Sequence, residues 1–307
     1  MNADDTGGTP ARTCLAVDIG GTKMVAGLVD AEGVVLVRRQ VPTRRDLTAQ
    51  GLFDLLAGAV DEVLAAGPGP APAVVGVGCG GPMAPGGVDV SPLNIPAWRG
   101  FPLRDHLRTH TGLPTFVDND AKALALAEGW IGAAAGVDDF LAMVVSTGVG
   151  GGIVLDGRLL DGAGGNAGHI GHVVVVPDGR RCACGGVGCL EAEASGTAIA
   201  AITGRPAAEA SDEVRRRTGV LVGRAVASVA NLLDLRSALV AGSVALGFGE
   251  VFFAAAQGEI DRLARLEFSR GTVISPGGLG GDGPLVGAAA VGWRGSAAGA
   301  DRPGGRR

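Results

Sequence analysis

The sequence predicts an α/β fold in two lobes with a duplicated hairpin, and three observations carry that prediction. The chain has 307 residues, enough to bury two cores. Short apolar runs alternate with stretches of helical spacing. A strand–Gly turn–strand pattern occurs twice, at 15–29 and at 140–155, which reads as an internal duplication. The composition, 47% hydrophobic and 19% charged, is that of a globular protein. The 55 Gly and 16 Pro stay below the quarter of the chain at which low complexity becomes the better description.

Taken in order, residues 1–12 are polar and read as a disordered leader without a signal peptide's charged and apolar regions. Leu15–Ile19 is a strand ending in Gly20-Gly21-Thr22. Met24–Val29 and Val34–Val41 are strands, 47–66 is a helix, and 67–73 a Gly/Pro loop. Val74–Gly78 is a buried strand leading into Gly80-Gly81-Pro82. A helix over 102–111 and a strand over Thr115–Val117 follow, and Asp118-Asn119-Asp120 opens a helix reaching about Trp130.

In the second half, Phe140–Val145 is a strand, Ser146–Gly152 a turn, and Ile153–Leu155 the returning strand. Helices are expected at 192–201, 211–233 and 249–266. Ala238–Val240 is a strand entering Ala241-Gly242-Ser243, Thr272–Ser275 is another, and Leu285–Trp293 is the final helix. The tail 295–307 reads as disordered. The expected lobes are 13–118 with about 285–294, and 119–284.

The net charge of −5 gives no basic footprint for nucleic acid. No apolar run reaches the roughly 20 residues of a membrane span. The expected compartment is therefore the cytoplasm, where thiols stay reduced.

Four groups carry chemistry. The first is Asp18-Ile19-Gly20-Gly21-Thr22-Lys23: a carboxylate at a strand end able to hold Mg²⁺, then glycines whose N–H groups can approach phosphate oxygens. An ordinary hairpin turn is the alternative. The second is the run Ser146-Thr147-Gly148-Val149-Gly150-Gly151-Gly152, a loop that can cradle the β- and γ-phosphates from the opposite lobe. The third is Asp118-Asn119-Asp120. A carboxylate at a helix start can accept the proton of an attacking hydroxyl, and Asn119 can both donate to and accept from sugar hydroxyls. Plain helix capping is the alternative. The fourth is H-x9-C-x-C-x4-C, formed by His172, Cys182, Cys184 and Cys189. One imidazole and three thiolates match a closed, structural tetrahedral zinc site, with buried or free thiols as the alternative.

Lysine occurs only at Lys23 and Lys122, each beside one of these groups, in a chain otherwise served by arginine. Lys23 is read near the nucleotide or its loop, Lys122 as a surface residue, with codon bias as the alternative for both.

These segments resemble the ROK family (repressors, open reading frames and kinases of sugars) from about residue 13 to 294. The carrying motifs are DIGGTK at 18–23, VDND at 117–120, STGVGGGIV at 146–154, GNAGHIGH at 165–172 and CACGGVGCLEAEASG at 182–196. The resemblance implies a two-lobed actin-like (ribonuclease H-like) ATPase fold closing on a cleft, usually as a homodimer. It implies transfer of phosphate from ATP with Mg²⁺ to the 6-hydroxyl of a hexose, with Asp120 as general base. Asn119, His172 and Glu191 would contact sugar hydroxyls, His172 also binding zinc, and Gly81 is counted among the sugar contacts. Asp18, Gly20, Gly21, Thr22, Lys23, Thr147, Gly148 and Gly150 fall to the nucleotide phosphates and Mg²⁺, and Gly242 to the adenosine.

One position departs from the family pattern. His169 stands where most glucose-directed members have Glu, in a G-E-I-G-H segment. A carboxylate only accepts, whereas neutral His donates from one nitrogen and accepts at the other. The exchange points to a different substituent at C2 or C3. The G-H-I-G-H form resembles bacterial N-acetylmannosamine kinases, and kanosamine is a second candidate substrate; glucose bound through a rotated ring stays open. A sugar-responsive repressor is the competing class, but Asp18 comes too early for a preceding DNA-binding helix-turn-helix. A catalytically dead sugar-binding protein is disfavoured by the intact Asp18, Asp120 and Gly loops.

Overall fold

The computed structural model of the chain describes residues 12–300. It divides into two compact units. One takes the chain up to Ala123 and again from Asp282, and the other is Leu124–Gly281.

The first unit opens with a meander of β1 (Thr13–Ile19), β2 (Lys23–Asp30) and β3 (Val35–Pro42), paired antiparallel. β1 lies at the middle of its sheet, so its run of apolar residues is buried almost throughout. α1 (Ala49–Ala66) starts at Thr48, whose hydroxyl accepts from Gly51 N at 3.1 Å, and turns Leu52, Phe53, Leu56, Val60 and Val63 into the core. β4 (Val74–Cys79), α2 (Leu103–Thr111) and β5 (Thr115–Asn119) follow, and α3 (Asp120–Trp130) begins where β5 ends. β4 and β5 pair parallel to β1, giving the order β3-β2-β1-β4-β5.

The second unit repeats this plan. β6 (Phe140–Val145), β7 (Val149–Leu155) and the short β8 (Arg158–Leu159) form its meander. Then come α4 (Leu190–Ala194), α5 (Gly196–Thr203), α6 (Asp212–Leu233), β9 (Ser237–Ala241), α7 (Ser243–Leu263) and β10 (Val273–Pro276). β9 and β10 run parallel to β6, and the order read from the meander edge, β8-β7-β6-β9-β10, repeats that of the first sheet position for position. The duplication read from the two hairpins therefore extends to all five strands. α8 (Gly283–Ala300) returns to the first unit and packs on β4 and β1. A Cβ on Gly76 would lie 2.0 Å from Ala288 O, so that strand position accepts only glycine under the helix.

The structure corrects five expectations. The stretch Val149–Gly152 is not turn but the start of β7, with Val145 opposite Val149. Gly151 in this stretch serves packing: a Cβ there would meet Ile170 Cγ2 at 2.9 Å. The helix expected at 192–201 is two, because Ser195 leaves helical geometry (φ −71°, ψ 160°) and caps α5 through Ala198 N. α7 begins at Ser243, directly after β9; Gly249 (φ 57°, ψ −141°) interrupts it and hides its first turns from a periodicity count. β8 was too short to show in the pattern. Finally, residues 295–300 are helical, not a disordered tail: α8 runs on to Ala300 because Gly295 brings it onto the ring of Phe116. Residues 1–11 of the expected leader and 301–307 of the tail lie outside the described residues. Among those described, no helix is long and apolar enough to cross a membrane.

Candidate active site

The residues singled out in the sequence fall into two groups, one in each unit. In the first unit the parallel register aligns Asp18 with Gly78 and Gly78 with Asp118. Asp120 follows at the start of α3. A Cβ on Gly78 would stand 3.7 Å from Asp120 Cα and 3.8 Å from Asp18 Oδ1, so the glycine keeps open the space between them. Burial, and then the charge of Asp120, push the Asp18 carboxyl up to about 7, against the pull of Lys23. Loss of solvation beside a second carboxylate is the setting a divalent cation relieves, so the position fits Mg²⁺.

The turn after β1 is short. Gly20 N donates to Lys23 O at 3.0 Å, and Thr22 and Lys23 are exposed. Thr43, at the end of β3, braces it: its hydroxyl donates to Gly20 O at 2.7 Å and its N–H to Thr22 O at 2.9 Å. A Cβ on Gly21 would lie 2.6 Å from Asn94 Cβ, so a protein neighbour already requires this glycine. Neither Thr43 nor Asn94 had a signal in the sequence, because both reach the turn through folding. Gly81 lies beyond β4 and is half-buried.

Asn119 accepts from Ala121 N at 3.0 Å and Lys122 N at 3.4 Å through Oδ1, which leaves its amide NH₂ as the donor end. Asp120 is exposed, with Oδ1 on Ala121 N at 2.8 Å. Capping and site geometry thus coexist in these two residues. Lys122, expected at the surface, is only 2% exposed, and its ammonium meets Asp118 Oδ1 at 2.9 Å. Its four-carbon stem follows the buried side of α3, and the carboxylate at the end of β5 offsets the charge.

In the second unit the β6–β7 turn is Ser146-Thr147-Gly148, closed by Ser146 N to Gly148 O at 2.9 Å. Gly150, assigned to the phosphate loop, lies within β7 opposite Val144. The start of α5 holds the turn, with Gly196 N on Ser146 O at 2.7 Å and the Thr197 hydroxyl on Thr147 O at 2.9 Å. Glu191 Oε2 accepts from Val149 N at 2.9 Å. That oxygen would be 2.8 Å from a Cβ on Gly148. Gly242, at φ 100°, starts α7 where a Cβ would lie 2.4 Å from Val145 O, and the Ser243 and Ser146 hydroxyls are 3.0 Å apart. Thr147 is exposed beside them.

The metal-ligand set comes together as expected. One ligand atom each from His172, Cys182, Cys184 and Cys189 lies within 4.8 Å of every other. Cys182 Sγ is 3.6 Å from His172 Nδ1, and Cys184 Sγ is 3.7 Å from Cys189 Sγ. A tetrahedral zinc with Zn–S of about 2.3 Å spaces its sulfurs by about 3.8 Å, so the donors fit that ion. Without a cation the thiols crowd one another: burial and the neighbouring cysteines push Cys189 up to about 12, while the Gly186 N–H and Cys182 hold Cys184 low. His169 is exposed, its ring centroid 6.0 Å from that of His172.

Glu193, two residues after Glu191, escaped the sequence reading. It is 2% exposed, accepts from Arg180 N at 2.7 Å and pairs with Arg217 of α6 at 2.5 Å. It ties the cysteine-bearing loop to the core.

The chain is 38% identical over 252 residues to a protein of Escherichia fergusonii named N-acetylmannosamine kinase, covering 77% of this chain and 85% of that one. Its fold matches a ROK family glucokinase from Streptomyces griseus, solved with glucose and AMPPNP, at a TM-score of 0.80 and 32% identity over 92% of this chain and 99% of that one. A ROK hexokinase from Thermus thermophilus matches at 0.78 and 31%, over 93% and 99%. The two repeated sheets are those of the actin-like two-lobed ATPase fold. The ROK family model matches residues 14–293, and the chain belongs to the ROK family.

Proposed function

We propose that this protein is an ATP-dependent kinase acting on the 6-hydroxyl of a hexose, with an amino sugar, N-acetylmannosamine or kanosamine, as its substrate. The observation that carries this reading is the start of α3. There the exposed carboxylate of Asp120 and the donor end of Asn119 stand together, across Gly78 from the half-buried Asp18. The kinases among the relatives support it.

In this reading the amide of Asn119 orients the sugar, and Asp120 takes the proton of the 6-hydroxyl as the sugar oxygen attacks the γ-phosphorus and the bond from that phosphorus to ADP breaks. ATP supplies the phosphoryl group, and Mg²⁺ offsets its charge. Asp18 would hold that ion directly or through water. Backbone N–H groups of Gly21, Thr22, Thr147 and Gly148 would bind the phosphates, with Gly20, whose own N–H closes the turn on Lys23 O, Lys23 and Gly150 beside them and Gly242 toward the adenosine. His172 turns Nδ1 toward the cysteines, which would hold a structural zinc, and presents Nε2 to a sugar hydroxyl. Glu191 and Gly81 complete the sugar contacts, and His169 selects the substituent at C2 or C3. A homodimer in the cytoplasm completes the proposal.

The test is ADP release measured across glucose, mannose, N-acetylmannosamine, N-acetylglucosamine, glucosamine and kanosamine. The expected result is the highest kcat/KM on N-acetylmannosamine or kanosamine. A panel without sugar-dependent ADP release would refute the kinase reading, and a preference for glucose would refute the amino-sugar one.

A further inference from the structure

We propose that Lys122 is a positioning residue for phosphate transfer: its buried ammonium fixes Asp118, and through Asp118 the backbone that presents Asn119 and Asp120. The inference rests on the reading of Asp120 as general base. Asp118 Oδ1 receives both the Lys122 ammonium, at 2.9 Å, and the backbone N–H of Asn119, at 2.8 Å. Lys122 also closes the turn from its own backbone, whose N–H reaches Asn119 Oδ1 at 3.4 Å. One residue therefore grips both sides of the peptide that carries Asn119. Arg294 of α8 approaches the other Asp118 oxygen at 3.6 Å, so Asp118 is held between cations from two helices.

Burying an ammonium is unfavourable unless it is paired, and a pairing so close to the transfer site has a use beyond filling space. The residue type matters too. Lysine is a compact charge on a flexible stem, whereas a guanidinium is a broad planar fork. A chain with 26 Lys and Arg together keeps lysine at two positions, and this one is buried beside the base.

The experiment compares Lys122→Met, which keeps the stem and removes the charge, with the double variant Lys122→Met/Asp118→Asn. Lys122→Met is expected to lower kcat about 10- to 100-fold, the cost of a small misplacement, with KM for ATP within about twofold of wild type. The Asn119 amide resonance, read by NMR without substrates, is expected to shift. The double variant removes both charges, so its melting temperature should recover toward wild type while kcat stays low. A kcat that recovers with stability would reduce Lys122 to a structural residue and overturn the proposal, as would wild-type kcat in Lys122→Met. Should Lys122→Met not fold, the double variant decides by the same two readings. Asp120→Asn is assayed in parallel. If it retains wild-type turnover, the base assignment fails; the Asn119 resonance then decides for Lys122, and an unmoved resonance overturns the positioning role.

Discussion

Asp18 and Asp118 occupy one cross-strand row of the first sheet, on either side of Gly78, yet their electrostatic settings are opposite. Asp118 is paired with Lys122 and Arg294, whereas burial and the charge of Asp120 raise Asp18 to about 7. An acid raised in the folded state binds its proton more tightly there than in the unfolded chain. It contributes stability below the ordinary value of 3.8, and that contribution is lost as the pH rises through about 7. Asp18→Asn, uncharged at every pH, should therefore melt several degrees above wild type at pH 8 in metal-free buffer, with the difference closing toward pH 4. Thermal melts across that range check it, and a difference independent of pH would refute it.

The cysteine cluster predicts one zinc per chain. Chelation or Cys184→Ser should lower the melting temperature and free the segment leading to Glu191, which holds Val149 N. Elemental analysis of active protein decides the matter; active protein without zinc would be incompatible with the site.

Arg217→Ala removes the charged partner of a carboxylate that is 2% exposed. Glu193 keeps its bond to Arg180 N but loses the guanidinium, and the expected loss is about 1–3 kcal/mol. Denaturant titration measures it. A parallel fall in zinc affinity is expected, because Arg180 lies two positions before Cys182; unchanged affinity would separate the salt bridge from the metal loop.

His169→Glu replaces an imidazole that can donate and accept with a carboxylate that only accepts. Where a bound sugar covers the exposed His169, a polar group left without its partner costs about 1–3 kcal/mol, so preference should move toward glucose by roughly 5- to 150-fold in kcat/KM. Zinc content must be measured on the same sample, since His172 is three residues away. A ratio changed less than about twofold at full zinc occupancy would remove His169 from the specificity argument.

The elements of both sheets, except β8, were legible in the chain, because buried strands announce themselves as apolar runs closed by Gly or Asp. The cluster of His172, Cys182, Cys184 and Cys189 was legible too: their spacing is local, and their side-chain chemistry suits a metal ion. The repeated Gly turn disclosed the duplication. What the residues could not disclose was the reason for individual glycines. Gly21, Gly148 and Gly151 read as space for phosphate and Gly242 as space for the adenosine, but Asn94, Glu191, Ile170 and Val145 already stand where a Cβ would go.

Lys122 divides the two kinds of knowledge most clearly. The sequence by itself determined that it is one of only two lysines and follows Asp120 by two positions. Only tertiary structure decided that it is buried: α8, distant along the chain, sets Gly287 against the backbone of the neighbouring Ala123, and the ammonium turns inward onto Asp118. The same holds for Thr43 bracing Gly20 and for Arg217 holding Glu193. Motifs fix which groups are available, whereas the desolvation and pairing that set their charge and orientation arise from contacts no local pattern encodes.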